Sequence, residues 1–258
     1  MNRTRTFVTG LTAALLLCGA GRAAAEISLL ANHDHITIDF FYHGSSVSAR
    51  GLVEPGTDVI IKIAGPDGKE TLKEKGKTAG VLWMNVGTLH FENTPNLYEI
   101  YSTRPLEQIL TPEEADREVI GYRALGKHLV LEPVASLEDR EKWVGEFIRF
   151  KENSKLYGDS TGGIATEPKD GKQGYYINTA WPFQAPPGDY TVTAYAVRDG
   201  KVIEKISKPI DVKQVGIVQT LSKMAKNNGA LYGLLSIAMA LGAGFGVGLV
   251  FRKGGGAH

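Results

Sequence analysis

The sequence predicts a mainly β domain that carries a helical insertion and ends in one transmembrane helix. Three observations predict it. Apolar residues alternate through 36–42 and recur in a hairpin pattern over 188–212. Two capped helix starts interrupt the β pattern between about 106 and 157. Finally, the 22 residues from Ala230 to Phe251 contain no charge. Charge is otherwise balanced, with 29 Lys and Arg against 28 Asp and Glu and 6 His. Basic residues are scattered without interleaved aromatics, so no nucleic-acid partner is expected.

The first stretch, MNRTRTFVTGLTAALLLCGAGRAAAE, puts Arg3 and Arg5 before an apolar run from Phe7 to Ala20. A small-residue site follows at Ala23-Ala24-Ala25. That order is the pattern of a secretory signal peptide over residues 1–25. A lipoprotein signal at Cys18 and an uncleaved anchor are the rivals. Leu17 is large where a lipobox needs a small residue, and Arg22 interrupts an anchor. Cys18 is the sole cysteine. A chain cleaved after Ala25 would therefore fold without disulfides and hold neither a thiol nucleophile nor a cysteine-ligated metal.

Residues 26–214 form the working domain. HITIDFFYHG sets Ile36, Ile38, Phe40 and Tyr42 on one strand face. TDVIIKIAGPDGKE gives a short apolar strand with a turn at Pro66-Asp67-Gly68. GVLWMNVGTLHFENTPNLYEIYS continues the β pattern, broken at Gly87 and Pro95. Thr111, with Pro112 and Glu114, is a capping box for one helix. Ser136 and Asp139 repeat the device before the stripe of Trp143, Val144, Phe147, Ile148 and Phe150. The closing hairpin turns at Asp199-Gly200. Strands, two helices, then strands describe an immunoglobulin-like antiparallel β-sandwich with a helical insertion at about 106–157. Two small β domains bridged by the helices are the other arrangement.

Two constellations invite chemistry. GDSTGG at 158–163 looks like the nucleophile loop of trypsin-like proteases, with Ser160 as nucleophile and His90 or His128 as base. Neither histidine has that family's setting, and a loop leaving the second helix, capped by Gly158, explains the glycines. No catalytic residues or enzyme activity are therefore assigned. NHDHITIDFFYH, read as one strand, projects His33, His35, Asp39 and His43 to one face. His33 and His43 would stand about 33 Å apart, so only His33 and His35 could share a zinc or copper ion, with Asp34 or a distant group as a further ligand. The competing reading is a solvated strand face, and no cofactor is expected. Trp83, Trp143 and Trp181 are expected in the core.

The segments GVLWMNVGTLHFENTPNLYEIYSTRPLEQI, WPFQAPPGDYTVTAYAVRDGKVI and ALYGLLSIAMALGAGFG, together with HGSSVSARG, carry a resemblance. In that order behind a signal peptide, they resemble a family of transmembrane proteins of unestablished function, typical of alpha- and deltaproteobacteria. The resemblance implies a single-pass protein with a periplasmic domain. It also implies a permease of sulfite-exporter type as partner, and it brings no catalytic residues.

A juxtamembrane segment at 215–229 leads into the span at 230–251, about 33 Å of helix, and a short cytoplasmic tail at 252–258 follows. A cleaved signal peptide places the domain outside the bacterial inner membrane. The glycines of LGAGFGVGLVFRK fit no dinucleotide fingerprint. As a helix they align Ser236, Ala240, Gly244 and Gly248 on one face, and Gly242 and Gly246 with Ala238 on another. Such small-residue rows let helix backbones approach, so they point to self-association or to a polytopic membrane partner. Glycines tolerated in a plain anchor are the simpler reading.

Overall fold

The computed structural model describes residues 27–78 and 81–252. Residues 1–25, which the sequence pattern reads as a signal peptide and which include Cys18, and the tail from 253 onward lie outside these residues. Three sheets form. In the first, β1 (Leu30–Ala31), β3 (Ser46–Val53), β11 (Lys172–Ala180) and β10 (Ala165–Lys169) lie side by side in that order. The second runs β2 (His35–Ile38), β13 (Lys201–Gln214), β12 (Gly188–Arg198), β4 (Asp58–Ala64), β7 (Tyr98–Ser102) and β9 (Tyr157–Thr161). The third joins β5 (Asp67–Thr78), β6 (Leu82–Pro95) and β8 (Val130–Glu132). Helices α1 (Leu106–Ile109), α2 (Pro112–Glu118), α3 (Tyr122–His128) and α4 (Leu137–Asn153) make the insertion. Helices α5 (Gly216–Asn227) and α6 (Gly229–Arg252) end the described chain.

The six-stranded sheet is buried on both faces, which is why its central strands read as nearly continuous apolar runs. On β4, Val59, Ile61 and Ile63 enter one core and Ile60 the opposite one. Likewise Tyr190, Val192, Ala194 and Ala196 of β12 face the first core, while Tyr195 and Val197 face the second. The first core is closed by Val47, Ala49 and Val53 of β3 with Tyr175 and Ile177 of β11. The second is closed by the insertion and by Leu89 and Phe91 of β6. Alternation along a strand sends neighbours to opposite faces, so each strand serves both cores.

Lys62 shares the Ile60 face of β4. It donates to Glu118 O, and its ammonium lies 5.5 Å from the Tyr195 ring centre. Burial lowers its pKa from 10.5 to about 8, against the pull of Glu118. The folded state thus binds fewer protons than the unfolded chain between about pH 8 and 10.5, so this group makes stability rise with pH across that window. Urea denaturation should show the stability of the protein gaining on that of Lys62→Met by about 1–2 kcal/mol from pH 7.5 to 10. A difference that is flat with pH would contradict the shift.

Gly51 on β3 is the tightest approach in the first sheet. A methyl group there would lie 1.7 Å from Ser28 O and 2.6 Å from the Tyr175 hydroxyl. Ser28 Oγ accepts from Leu52 N, and Ser28 N donates to Leu52 O, so the two strands cannot simply part. Gly51→Ala is expected to cost about 1–3 kcal/mol in thermal unfolding.

Several sequence expectations change. Two pairings are parallel, β2 with β13 and β7 with β9, where an all-antiparallel domain was expected. Pro66-Asp67-Gly68 is not a turn. Gly65 N donates to Leu97 O and Asn96 N to Pro66 O, so the β4–β7 ladder passes directly into β5–β6. Gly87 does not end β6 but lies next to a bulge at Glu74/Lys75. The insertion holds four helices rather than two: extended Leu110 ends α1 before Thr111 starts α2, and Val119 (φ 50°) and Gly121 (φ 82°) separate α2 from α3. Thr111 caps α2 as expected, accepting from Glu114 N. The Glu114 carboxylate, however, turns to Val202 N and Arg117 instead of closing the box. Ser136 caps α4 through Asp139 N (3.1 Å). Asp199 and Gly200 both adopt positive φ, the tight hairpin turn the sequence specifies.

Candidate functional site

The strands β5 and β6 form an arm. At about 3.3 Å per residue, the 12 residues of β5 reach about 40 Å. The root is held firmly. Phe91 stacks on Phe147 of α4 with ring centres 4.4 Å apart, and Leu72 packs against the second core. The Lys151 ammonium, 4% exposed, bonds to Glu70 at 2.6 Å and lies near the rings of Phe147 and Tyr157.

The outer part of the arm is bare. Val81, Leu82, Trp83, Met84 and Val86 are 53–77% exposed. Register sets Thr78 opposite Leu82 and Gly76 opposite Met84, so Leu82 and Met84 share one face. A methyl on Gly76 would lie 2.8 Å from Val86, which places Val86 over that glycine. Trp83 shares the other face with Lys77, whose ammonium lies 5.3 Å from a Trp83 ring centre. Five uncovered apolar side chains, on both faces of one two-stranded arm, make an end of the kind that marks interaction sites. The expectation that Trp83 packs in the core is therefore wrong. Its strand alternation is real, but no layer covers this stretch. Trp181 is buried edge-on to Tyr190 at 4.8 Å, and Trp143 packs partly against the second core.

The direction of the arm follows from topology. Strand β4 is antiparallel to β12, and β12 is antiparallel to β13, so β4 and β13 run the same way. Strand β13 ends at Gln214, and α5 and then α6 follow. The arm thus leaves the domain at the same end as α6. Within α6, the 21 residues Gly229–Leu249 are long and apolar enough to cross a membrane, and none is buried. Methyl groups built at Gly242, Gly244, Gly246 and Gly248 would meet nothing within 4 Å, so both small-residue rows, including Ser236 and Ala240, are uncovered. Ser236 Oγ donates to Tyr232 O one turn back.

The histidine-rich stretch is not one strand. Strand β2 spans only His35–Ile38, while Asp39 turns to accept from Phe41 N and His43 lies beyond. Phe40, expected on the strand face of Ile36, is 70% exposed beyond the end of β2, whereas Ile36 is buried. His35 pairs with Asp34 at 2.7 Å on the surface, and that histidine holds the Asp34 carboxyl below its usual range. Among the described residues, no group of three or more His, Cys, Asp or Glu side chains is placed to hold a metal ion. His33 and His35 thus gain no third ligand from a distant group among these residues.

The protease-like constellation is dispersed. Ser160 lies in β9 opposite Tyr101, and Gly158 is a strand residue rather than a helix cap. His90 Nδ1 meets Thr71 Oγ1 at 3.3 Å, and His128 Nε2 meets Asp67 at 3.0 Å. Burial raises the carboxyl pKa of Glu99 and of Asp159, with Glu107 and Glu152 adding to the effect at Asp159. Perturbed carboxyls of this kind flag catalytic sites only beside a reacting partner. The Glu99 carboxylate accepts instead from the Tyr101 hydroxyl at 2.9 Å.

A mainly β domain, an arm with a bare apolar end and one uncovered apolar helix define a membrane-associated protein with one candidate C-terminal span. The chain belongs to the family described as "Putative transmembrane protein (Alph_Pro_TM)", whose family model matches residues 26–253. No curated protein matches it.

Proposed function

We propose that this protein is a non-enzymatic accessory or interaction subunit of an inner-membrane complex, with the β5–β6 arm as its docking element. Delivery by a cleaved signal peptide puts the domain in the periplasm, and α6 anchors it with the C-terminus in the cytoplasm. The domain is an immunoglobulin-like sandwich. Its support is the strand order: β1-β3-β11-β10 corresponds to A-B-E-D, and β13-β12-β4-β7 to G-F-C followed by C′. The Tyr190 hydroxyl donates to Pro186 O four residues upstream at the start of β12, as in a tyrosine corner.

The single observation that carries the proposal is the exposed end of the arm, Val81 to Val86, on a hairpin whose root leaves the domain at the end from which α6 follows. The partner is a polytopic membrane protein, because a single span forms no transport path of its own. A permease of sulfite-exporter type is the partner class the family resemblance suggests. The rows Ser236/Ala240/Gly244/Gly248 and Gly242/Gly246 offer that partner, or a second copy, a close-packing face. Replacing Gly244 and Gly248 with Leu should weaken association in a membrane two-hybrid reporter. An unchanged signal would reduce α6 to a plain anchor. Mild-detergent purification from native membranes tests the whole reading. A polytopic protein should co-purify in fixed ratio, and recovery of the chain alone would overturn it.

A further inference from the structure

We infer that the α6-facing end of the domain also carries a seat for the lipid surface itself, built from Phe40, Phe41, Phe183 and the apolar face of α5. The three phenylalanines are 70%, 73% and 70% exposed. Phe40 and Phe41 meet edge to face at 5.3 Å, and Phe183 stacks on Tyr42 at 5.8 Å, so two loops present aromatic rings together. Trp181 N donates to Ser45 O and fixes those loops to each other.

Their position relative to the span is set by the backbone. Val215 N donates to Ile38 O at 3.0 Å, two residues before Phe40, and Val215 is the residue that precedes α5. Helix α5 is two-sided. At 100° per residue, Ile217, Val218, Leu221, Met224 and Ala225 fall on one side, and Gln219, Lys223, Lys226 and Asn227 on the other. None of its residues is buried, so the domain leaves the apolar side without a partner. Asn228 breaks the helix, and α6 begins one residue later. A two-sided helix joined by one residue to a membrane span has its apolar side at the interface and its lysines among the headgroup phosphates. The phenylalanines beside its first turn reach the same depth. The occupant is therefore the bilayer, by continuity with α6, and the inference rests on α6 spanning it.

Nitroxide labels on the full chain in a Cys18→Ser background test this, after reconstitution into phosphatidylethanolamine–phosphatidylglycerol liposomes. Labels are placed one at a time through Phe40→Cys, Phe41→Cys, Leu221→Cys, Ala240→Cys and, as a distal control, Asp199→Cys. Positions 40, 41 and 221 should be accessible to oxygen and shielded from a water-soluble nickel chelate, whereas 199 should be accessible to the chelate. Chelate access at 40 and 41 would overturn the seat, as would exclusion of both reagents, the sign of burial against protein. Lipid exposure at 240 with water exposure at 40 and 41 rejects the seat alone. Water exposure at 240 rejects the span on which it rests.

Discussion

Phe147→Ala is expected to lower the stability of the domain by about 3–5 kcal/mol, the range for removing a buried phenyl ring. Phe147 is fully buried, stacks on Phe91 at 4.4 Å, and meets the Tyr157 ring edge-on at 6.1 Å. Those three rings belong to α4, β6 and β9, so one side chain ties the arm, the insertion and the edge of the six-stranded sheet. The cavity cannot be refilled cheaply, because Phe91 and Tyr157 are fixed by their ladders with β8 and β7. Hydrogen exchange should show amides of 67–95 losing protection before those of β12 and β13. A loss below 1 kcal/mol, or uniform loss of protection, would show that the arm's root is not held there.

Leu82→Ser/Trp83→Ser/Met84→Ser is expected to do the reverse. All three side chains are more than half exposed, so folding stability should stay within about 0.5 kcal/mol of the parent. Partner recovery should fall at least tenfold, since an interface Trp commonly contributes about 2 kcal/mol or more. A variant that unfolds would mean that the arm's end is covered in the monomer. A stable variant that keeps its partner would move docking elsewhere on the molecule.

Much of the architecture is legible in the sequence because it rests on local rules. The helix starts at Thr111 and Ser136, the hairpin turn at Asp199-Gly200 and the uncharged run of α6 are decided by residues within one turn or one span. The arm was not legible. Pro66-Asp67-Gly68 reads as a chain reversal, and only the pairing of Gly65 with Leu97, 32 residues away, shows that the ladder continues. Trp83 and Phe40 carry the same strand alternation as core residues. Whether another layer covers them depends on topology, to which period-two patterning is blind. The signal that could have found them is the apolar cluster Val81–Val86 on both sides of its strand, too dense for a face turned to water. The histidine pattern misled for the opposite reason: Asp39 starts a turn through its own side chain and ends the strand at Ile38.

The claim that the arm docks on a membrane protein is tested most directly from its end. A photoreactive benzoylphenylalanine placed at Trp83, and for comparison at Asp199 in the opposite turn, is irradiated in native membranes. The account expects one discrete protein adduct from position 83, identified by mass spectrometry as a polytopic membrane protein, and none from position 199. Lipid adducts alone from position 83, or equal labelling from both positions, would contradict it.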